Sequence, residues 1–239
     1  MHHIYIDLET LPDLAMTPAE RAESEASIRA RVPKSYKKAE TIEKWVGEKM
    51  ATREAAWLKG SIHSLKARVY VISYAIDDDP VESMWTGYHP DRTASVDEEE
   101  GLLVGAFQRT LEARLGAPLH EVPHTFVAHF GATFDFPILR LRAMKYGMHG
   151  LARALPSDRW ARGADDTALM CGSAGTHGAG FALDECARFF GCQRKTDGMD
   201  GSKVYGLWLQ GKHEEAAAYC RQDVEVLRDV HRALRMWVR

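Results

Sequence analysis

The sequence predicts an α/β fold, on three observations. A short apolar strand opens the chain at Ile4-Tyr5-Ile6-Asp7-Leu8-Glu9. A β-branched and aromatic run, Arg68-Val-Tyr-Val-Ile-Ser-Tyr-Ala-Ile76, reads as a second, buried strand. Between and after them lie long segments with helical periodicity. The 239 residues suit one large domain, 1–239, carrying an insertion at about 12–66. Hydrophobic content of 45% and charged content of 27% are those of a globular chain with a sizeable core.

In chain order, 2–8 reads as strand and 68–76 as strand. After an Asp77–Pro80 turn, 81–86 reads as a third strand. A helix follows over about 98–115, a strand over His124–Ala128, and a helix over 134–147 ending at Gly147. Phe181–Phe190 is a short amphipathic helix stopped by Gly191, and the last helix runs over about 213–236. The insertion after strand one reads as two helices. Thr17 caps the first, with Pro18 at its first position and Glu20 at its third. The second, about 41–58, carries Trp45, Val46, Met50 and Trp57. The glycine-rich stretch 172–180 matches no phosphate-binding fingerprint and reads as a loop.

No apolar run is long enough to span a membrane, and the N-terminus lacks the layout of a secretion signal. Cys171, Cys186, Cys192 and Cys220 show no Cys-x-x-Cys spacing, so they are expected to be core or surface thiols in a reduced, cytoplasmic protein. The net charge is −3, yet it is segregated. Residues 29–68 hold eleven basic side chains to four acidic ones, and 140–162 hold six to one. Such stretches are either solvated helix faces or surfaces that steer a polyanion.

The chemistry rests on acids. Strand alternation puts Asp7 and Glu9 on one face, opposite Ile4, Ile6 and Leu8. Two neighbouring carboxylates repel, so this is either a solvated edge strand or a site for a divalent metal. Asp135 falls after a strand, at a helix start, where Thr133 or Asp135 can also serve as a cap. In the C-terminal helix, Tyr219 and Asp223 extend the apolar stripe of Val226, Leu227, Val230 and Leu234. An acid there needs a metal or a basic partner. Asp165-Asp166-Thr167 reads as a turn or cap. Together Asp7, Glu9, Asp135 and Asp223 would form an all-oxygen pocket for two Mg²⁺ or Mn²⁺, suited to phosphodiester hydrolysis.

Asp7-Leu8-Glu9-Thr10, Phe134-Asp135-x-Pro137 and Tyr219-x-x-x-Asp223 resemble the three motifs of the DEDD 3′–5′ exonucleases, which have a ribonuclease H-like fold. Tyr219, four residues before Asp223, is similar to the tyrosine subgroup. The stretch from Asp197 to Val204 and Tyr219-Cys220 look like stand-alone predicted exonucleases related to the proofreading domain of B-family polymerases. The insertion looks like that of phage-encoded members.

The resemblance implies a mixed central sheet flanked by helices. It implies a nucleic-acid 3′ end as partner, DNA with single-stranded ends preferred, and nucleoside 5′-monophosphates as products. It implies that Asp7, Glu9, Asp135 and Asp223 hold the metals, that Tyr219 orients water, and that Thr10, Leu11, Phe130 and Phe134 meet substrate. For Leu11 the other role is ordinary packing. The family usually carries Asn where this chain has Phe130. A 3′–5′ exoribonuclease, a non-catalytic nucleic-acid-binding protein and a metal-dependent phosphatase are the rivals.

Overall fold

A computed structural model describes residues 1–12, 18–87, 96–157, 163–173, 180–192 and 201–237. Thr17 and Asp197–Asp200, together with most of the glycine-rich stretch, lie outside the described residues. The chain divides into two compact units, Met1–Thr10 with Val69–Arg239, and Leu11–Arg68.

The larger unit is built on a five-stranded sheet ordered β3-β2-β1-β4-β5. Its strands are β1 (His2–Leu11), β2 (Arg68–Ile76), β3 (Glu82–Trp85), β4 (His124–Ala128) and β5 (Ala164–Asp166). β1 and β4 run parallel with Ile4 opposite Phe126, β4 and β5 are parallel, and β2 and β3 antiparallel. The sheet is therefore mixed. Helices α3 (Val96–Leu115), α4 (Asp135–Lys145), α5 (His149–Ala154), α6 (Leu183–Phe190), α7 (Val204–Leu209) and α8 (His213–Arg235) complete the unit.

Strand alternation sorts the core into two layers. Ile4, Ile6 and Leu8 are buried on one face, where the Phe126 ring meets Phe136 of α4 and Tyr74 meets Phe107 of α3. Tyr5, Ala75 and Val127 face the other way, against Leu183, Cys186 and Ala187 of α6 and Val224, Leu227 and Val230 of α8. β1 thus lies in the middle of three layers. Its own polar residues, Asp7 and Glu9, point toward α8.

The sequence reading missed β5, α5 and α7. β5 is Ala-Asp-Asp, with no strand propensity of its own. Its two acids are strand residues and not a turn, and Asp166 also acts as the cap the sequence allowed, accepting the N–H groups of Ala168 and Leu169. Asp165 accepts a bond from Nε2 of the fully buried His231 at 2.9 Å, and His231 Nδ1 accepts from the Tyr5 hydroxyl at 3.1 Å. This relay ties β5 to α8 and β1. Asp166 takes the backbone N–H groups of Phe130 and Ala132, each at 3.0 Å, and of Ala168 at 2.9 Å.

That clamp shapes the loop from β4 to α4. Phe130 is held at φ 60°, the left-handed region that Asn enters far more readily than an aromatic residue. Gly131 follows, and a Cβ there would lie 2.4 Å from the Ala128 Cβ. The Thr133 hydroxyl donates to the Phe130 carbonyl at 3.0 Å. The chain then enters α4 at Asp135, with Phe134 in the capping position.

The second unit is a helical hairpin of α1 (Pro18–Arg29) and α2 (Ala39–Leu58). Arg29 bonds Glu43 at 2.9 Å near the connection, and Arg21 reaches Glu54 at 3.4 Å toward the open end. Val46 is buried. Trp45 and Trp57 are half-buried, with the Lys49 ammonium 5.8 Å over the Trp45 ring.

Left-handed backbone at a non-glycine residue costs about 1–3 kcal/mol. Phe130→Val, β-branched at that φ, is expected to lower unfolding stability by about 1–2 kcal/mol in urea titration. Phe130→Asn is expected to hold or raise it. Equal losses in both variants would show that the ring, not the backbone, governs the position.

Candidate metal centre

Each acid is positioned by a different local rule. β4 ends at Ala128, while β1 continues to Leu11. The Leu8 N–H therefore lies beyond the β1–β4 ladder, and Asp135 Oδ1 accepts it at 3.0 Å. Asp135 is the first residue of α4, where the helix dipole also favours a carboxylate. Tyr219, Cys220 and Asp223 come from α8, with Tyr219 and Asp223 one turn apart on the face that meets β1.

The four acids converge. Glu9 is 8% exposed, Asp135 2% and Asp223 6%, while Asp7 keeps some surface open to solvent. Burial pushes the Asp7 carboxyl well above the usual carboxylate range, and repulsion from Asp223, Asp135 and Glu9 pushes it further. Burial likewise lifts Asp135, to about 8, with Asp166 and Asp223 adding repulsion against the lowering effect of the Leu8 N–H. Tyr219 is buried and hydrogen-bonded to Asp223. Its phenol is raised by burial first and by Asp223, Glu9 and Asp7 after it, so it stays protonated.

Cys220 is the residue that sequence reasoning left out. Its thiol donates to Asp7 Oδ2 at 3.1 Å and to the Asp7 carbonyl at 3.3 Å. Its sulfur and one carboxylate oxygen each of Asp7 and Glu9 lie within 4.8 Å of one another. The signal was its position three residues before Asp223, which places it on the same helix face. All four cysteines are free thiols.

The donor set fits hard cations. Burial and the neighbouring Asp7 and Glu9 raise the Cys220 thiol well above its ordinary value, so it is an S–H donor and not a thiolate ligand. Carboxylate oxygens remain, the ligands of Mg²⁺ and Mn²⁺. Mutual repulsion among them is what a divalent cation relieves.

The other expected residues fall as follows. Thr10 is half-buried and ends the first segment of the larger unit. Phe130 and Phe134 are half-buried in the loop before Asp135, and the Phe130 ring meets His129 edge-on at 4.8 Å. Leu11 is 2% exposed and belongs to the second unit.

The raised acids make a linkage prediction. Asp135 binds its proton more tightly in the folded protein (about 8) than at its ordinary value of 3.8. The resulting stabilisation is complete at acid pH and is lost as pH rises through the folded value. The melting temperature of the metal-free protein is expected to fall between roughly pH 5 and 8. Asp135→Asn, which keeps an oxygen for the Leu8 N–H, is expected to flatten that fall, and so is Mn²⁺. A slope unchanged in both would place the titration elsewhere.

Comparison with known proteins adds the following. Residues 94–227 match a family model described as predicted 3′–5′ exonuclease related to the exonuclease domain of PolB. The match takes in Asp135, Tyr219 and Asp223 and begins after Asp7 and Glu9. The fold is similar to the family B DNA polymerase from the hyperthermophilic archaeon Pyrobaculum calidifontis, with a TM-score of 0.53 and 15% identity over 98% of this chain. This chain spans 24% of that polymerase's length. No curated protein matches the sequence. Among the described residues, no helix is long and apolar enough to cross a membrane. The chain thus has a ribonuclease H-like α/β fold, and it belongs to the family of predicted 3′–5′ exonucleases related to the exonuclease domain of PolB.

Proposed function

We propose that this protein is a metal-dependent 3′–5′ exonuclease of the tyrosine subgroup. It hydrolyses phosphodiester bonds of DNA, prefers single-stranded ends and releases nucleoside 5′-monophosphates. The observation that carries the reading is the convergence of Asp7, Glu9, Asp135 and Asp223, from β1, α4 and α8, on one enclosed spot. Their shared electrostatics, with each of the acids Asp223, Asp135 and Glu9 raising Asp7, support it. DNA is favoured because the similar fold belongs to a DNA polymerase. The four free thiols suit a cytoplasmic place of action.

In this reading Asp7, Glu9, Asp135 and Asp223 would hold two Mg²⁺ or Mn²⁺. When bound, such ions would supply water activation and charge stabilisation at the leaving oxygen. Cys220, donating to Asp7, keeps that carboxylate turned toward the site. Tyr219, a phenol at all physiological pH values, offers a hydroxyl that orients the attacking water. None of the carboxylates serves as a general base once it holds a cation. Thr10, Leu11, Phe130 and Phe134 would receive the 3′-terminal nucleotide.

The test is direct. The protein is incubated with 5′-labelled single- and double-stranded DNA and RNA and Mg²⁺ or Mn²⁺. A ladder shortening from the 3′ end, strongest on single-stranded DNA, is expected. Asp7→Asn is expected to abolish it while circular dichroism stays unchanged; undiminished hydrolysis sinks the assignment. Tyr219→Phe is expected to lower kcat about 10²-fold with metal affinity kept, the range for a missing positioning or proton-transfer group. Loss of metal binding in calorimetry would make Tyr219 a ligand instead.

A further inference from the structure

A second feature lies on the opposite layer of the sheet, between α4 and α5. A surface pocket of about 500 Å³ is lined by Arg140, His149 and Arg153, with Met144 and Leu155 forming an apolar wall. Among the described residues, no carboxylate lines it. Among the described residues neither Arg140 nor Arg153 forms an ion pair, and the Arg140 Nε donates at 3.2 Å to the Ala152 carbonyl.

The contrast with neighbouring cations is informative. Arg142 on the same helix is paired with the buried Glu100 at 3.1 Å, and Lys145 with Asp97 at 2.9 Å. Helix α4 therefore has its other basic side chains neutralised by α3. Among the described residues, the two that share the pocket with His149 have no counter-charge. Two guanidinium groups at one cavity repel each other, and a bound anion relieves that repulsion. Guanidinium forks match phosphate oxygens in geometry, and the bond to Ala152 fixes one fork in advance. The apolar wall adds room for a sugar or base beside the phosphate, which a bare inorganic anion does not need.

We infer that this pocket binds a backbone phosphate of the nucleic-acid strand, away from the scissile bond. The inference rests on the nuclease reading for the identity of the strand. The placement suits it: α4 begins with Asp135 and presents Arg140 five residues on, about 7.5 Å along the helix axis. One helix so links the metal centre to the pocket. A cation held off the acids grips the strand without competing for their metal.

The experiment measures binding without hydrolysis. Fluorescence anisotropy of a 5′-labelled single-stranded DNA oligonucleotide is followed with the full-length protein in EDTA, over a series of salt concentrations. Arg153 is exposed and its replacement leaves the core intact. Arg153→Glu is expected to weaken binding about tenfold and to reduce the slope of log affinity against log salt by about 0.7 for each phosphate no longer held. Arg153→Lys is expected to restore most of the affinity. Unchanged affinity and slope in Arg153→Glu overturn the inference. So does a loss confined to inorganic tripolyphosphate, measured by calorimetry, since the pocket would then serve a free phosphate compound. An inactive wild-type protein that still loses oligonucleotide affinity on Arg153→Glu sinks the nuclease reading alone. An active one with unchanged binding sinks the pocket alone.

Discussion

The structure depends on one unfavourable interaction, the crowding of Asp7, Glu9, Asp135 and Asp223 into an enclosed space. The strongest influences on Asp7 and Asp135 are burial, other carboxylates and neutral donors. Such a site is costly to assemble unless its protons or a metal neutralise it. The neutral donors around it, the Cys220 thiol and the Leu8 N–H, moderate the repulsion without removing it. They leave the cluster short of positive charge, which is the condition for tight binding of a small hard cation.

The rest of the fold supplies the rigidity that holds these acids together. Apolar layers on both faces of β1 fix the strand: Ile4, Ile6 and Leu8 against one, Tyr5 against the other. The Tyr5–His231–Asp165 relay then binds β1, α8 and the edge strand β5 at the end of α8 far from the acids. Asp166 completes the frame by gathering the loop that delivers Asp135. The strained backbone at Phe130 belongs to this delivery. At that left-handed φ an Asn would be accommodated more readily than an aromatic residue.

Charge is separated across the larger unit. The acids gather where β1 and α8 meet, whereas Arg140 and Arg153 lie between α4 and α5. In the proposed reading, a polyanion with a metal at its scissile phosphate needs both arrangements at once. Anionic ligands must be concentrated at the metal, and cations must hold the strand at a distance from them.

Sequence alone determined the main strands, the long helices and the identity of the four acids, because those signals are local. Alternation in 4–9 put Asp7 and Glu9 on one face, and the stripe through Leu234 turned Asp223 inward. It also determined the family, whose motifs are read from short spacings. Tertiary structure decided what local signals do not encode. β5 exists because β4 offers it an edge and His231 and the loop amides hold its acids; Ala-Asp-Asp would not be a strand unaided. Cys220 joined the site because α8 lies across β1, an approach of chain segments more than two hundred residues apart. The pairing of Arg142 and Lys145, while Arg140 and Arg153 face a pocket with no acid among its described residues, was decided by where α3 packs on α4. The acids could be named from the chain, but their mutual repulsion, which makes them a candidate site, arises only where the fold brings them within reach of one another.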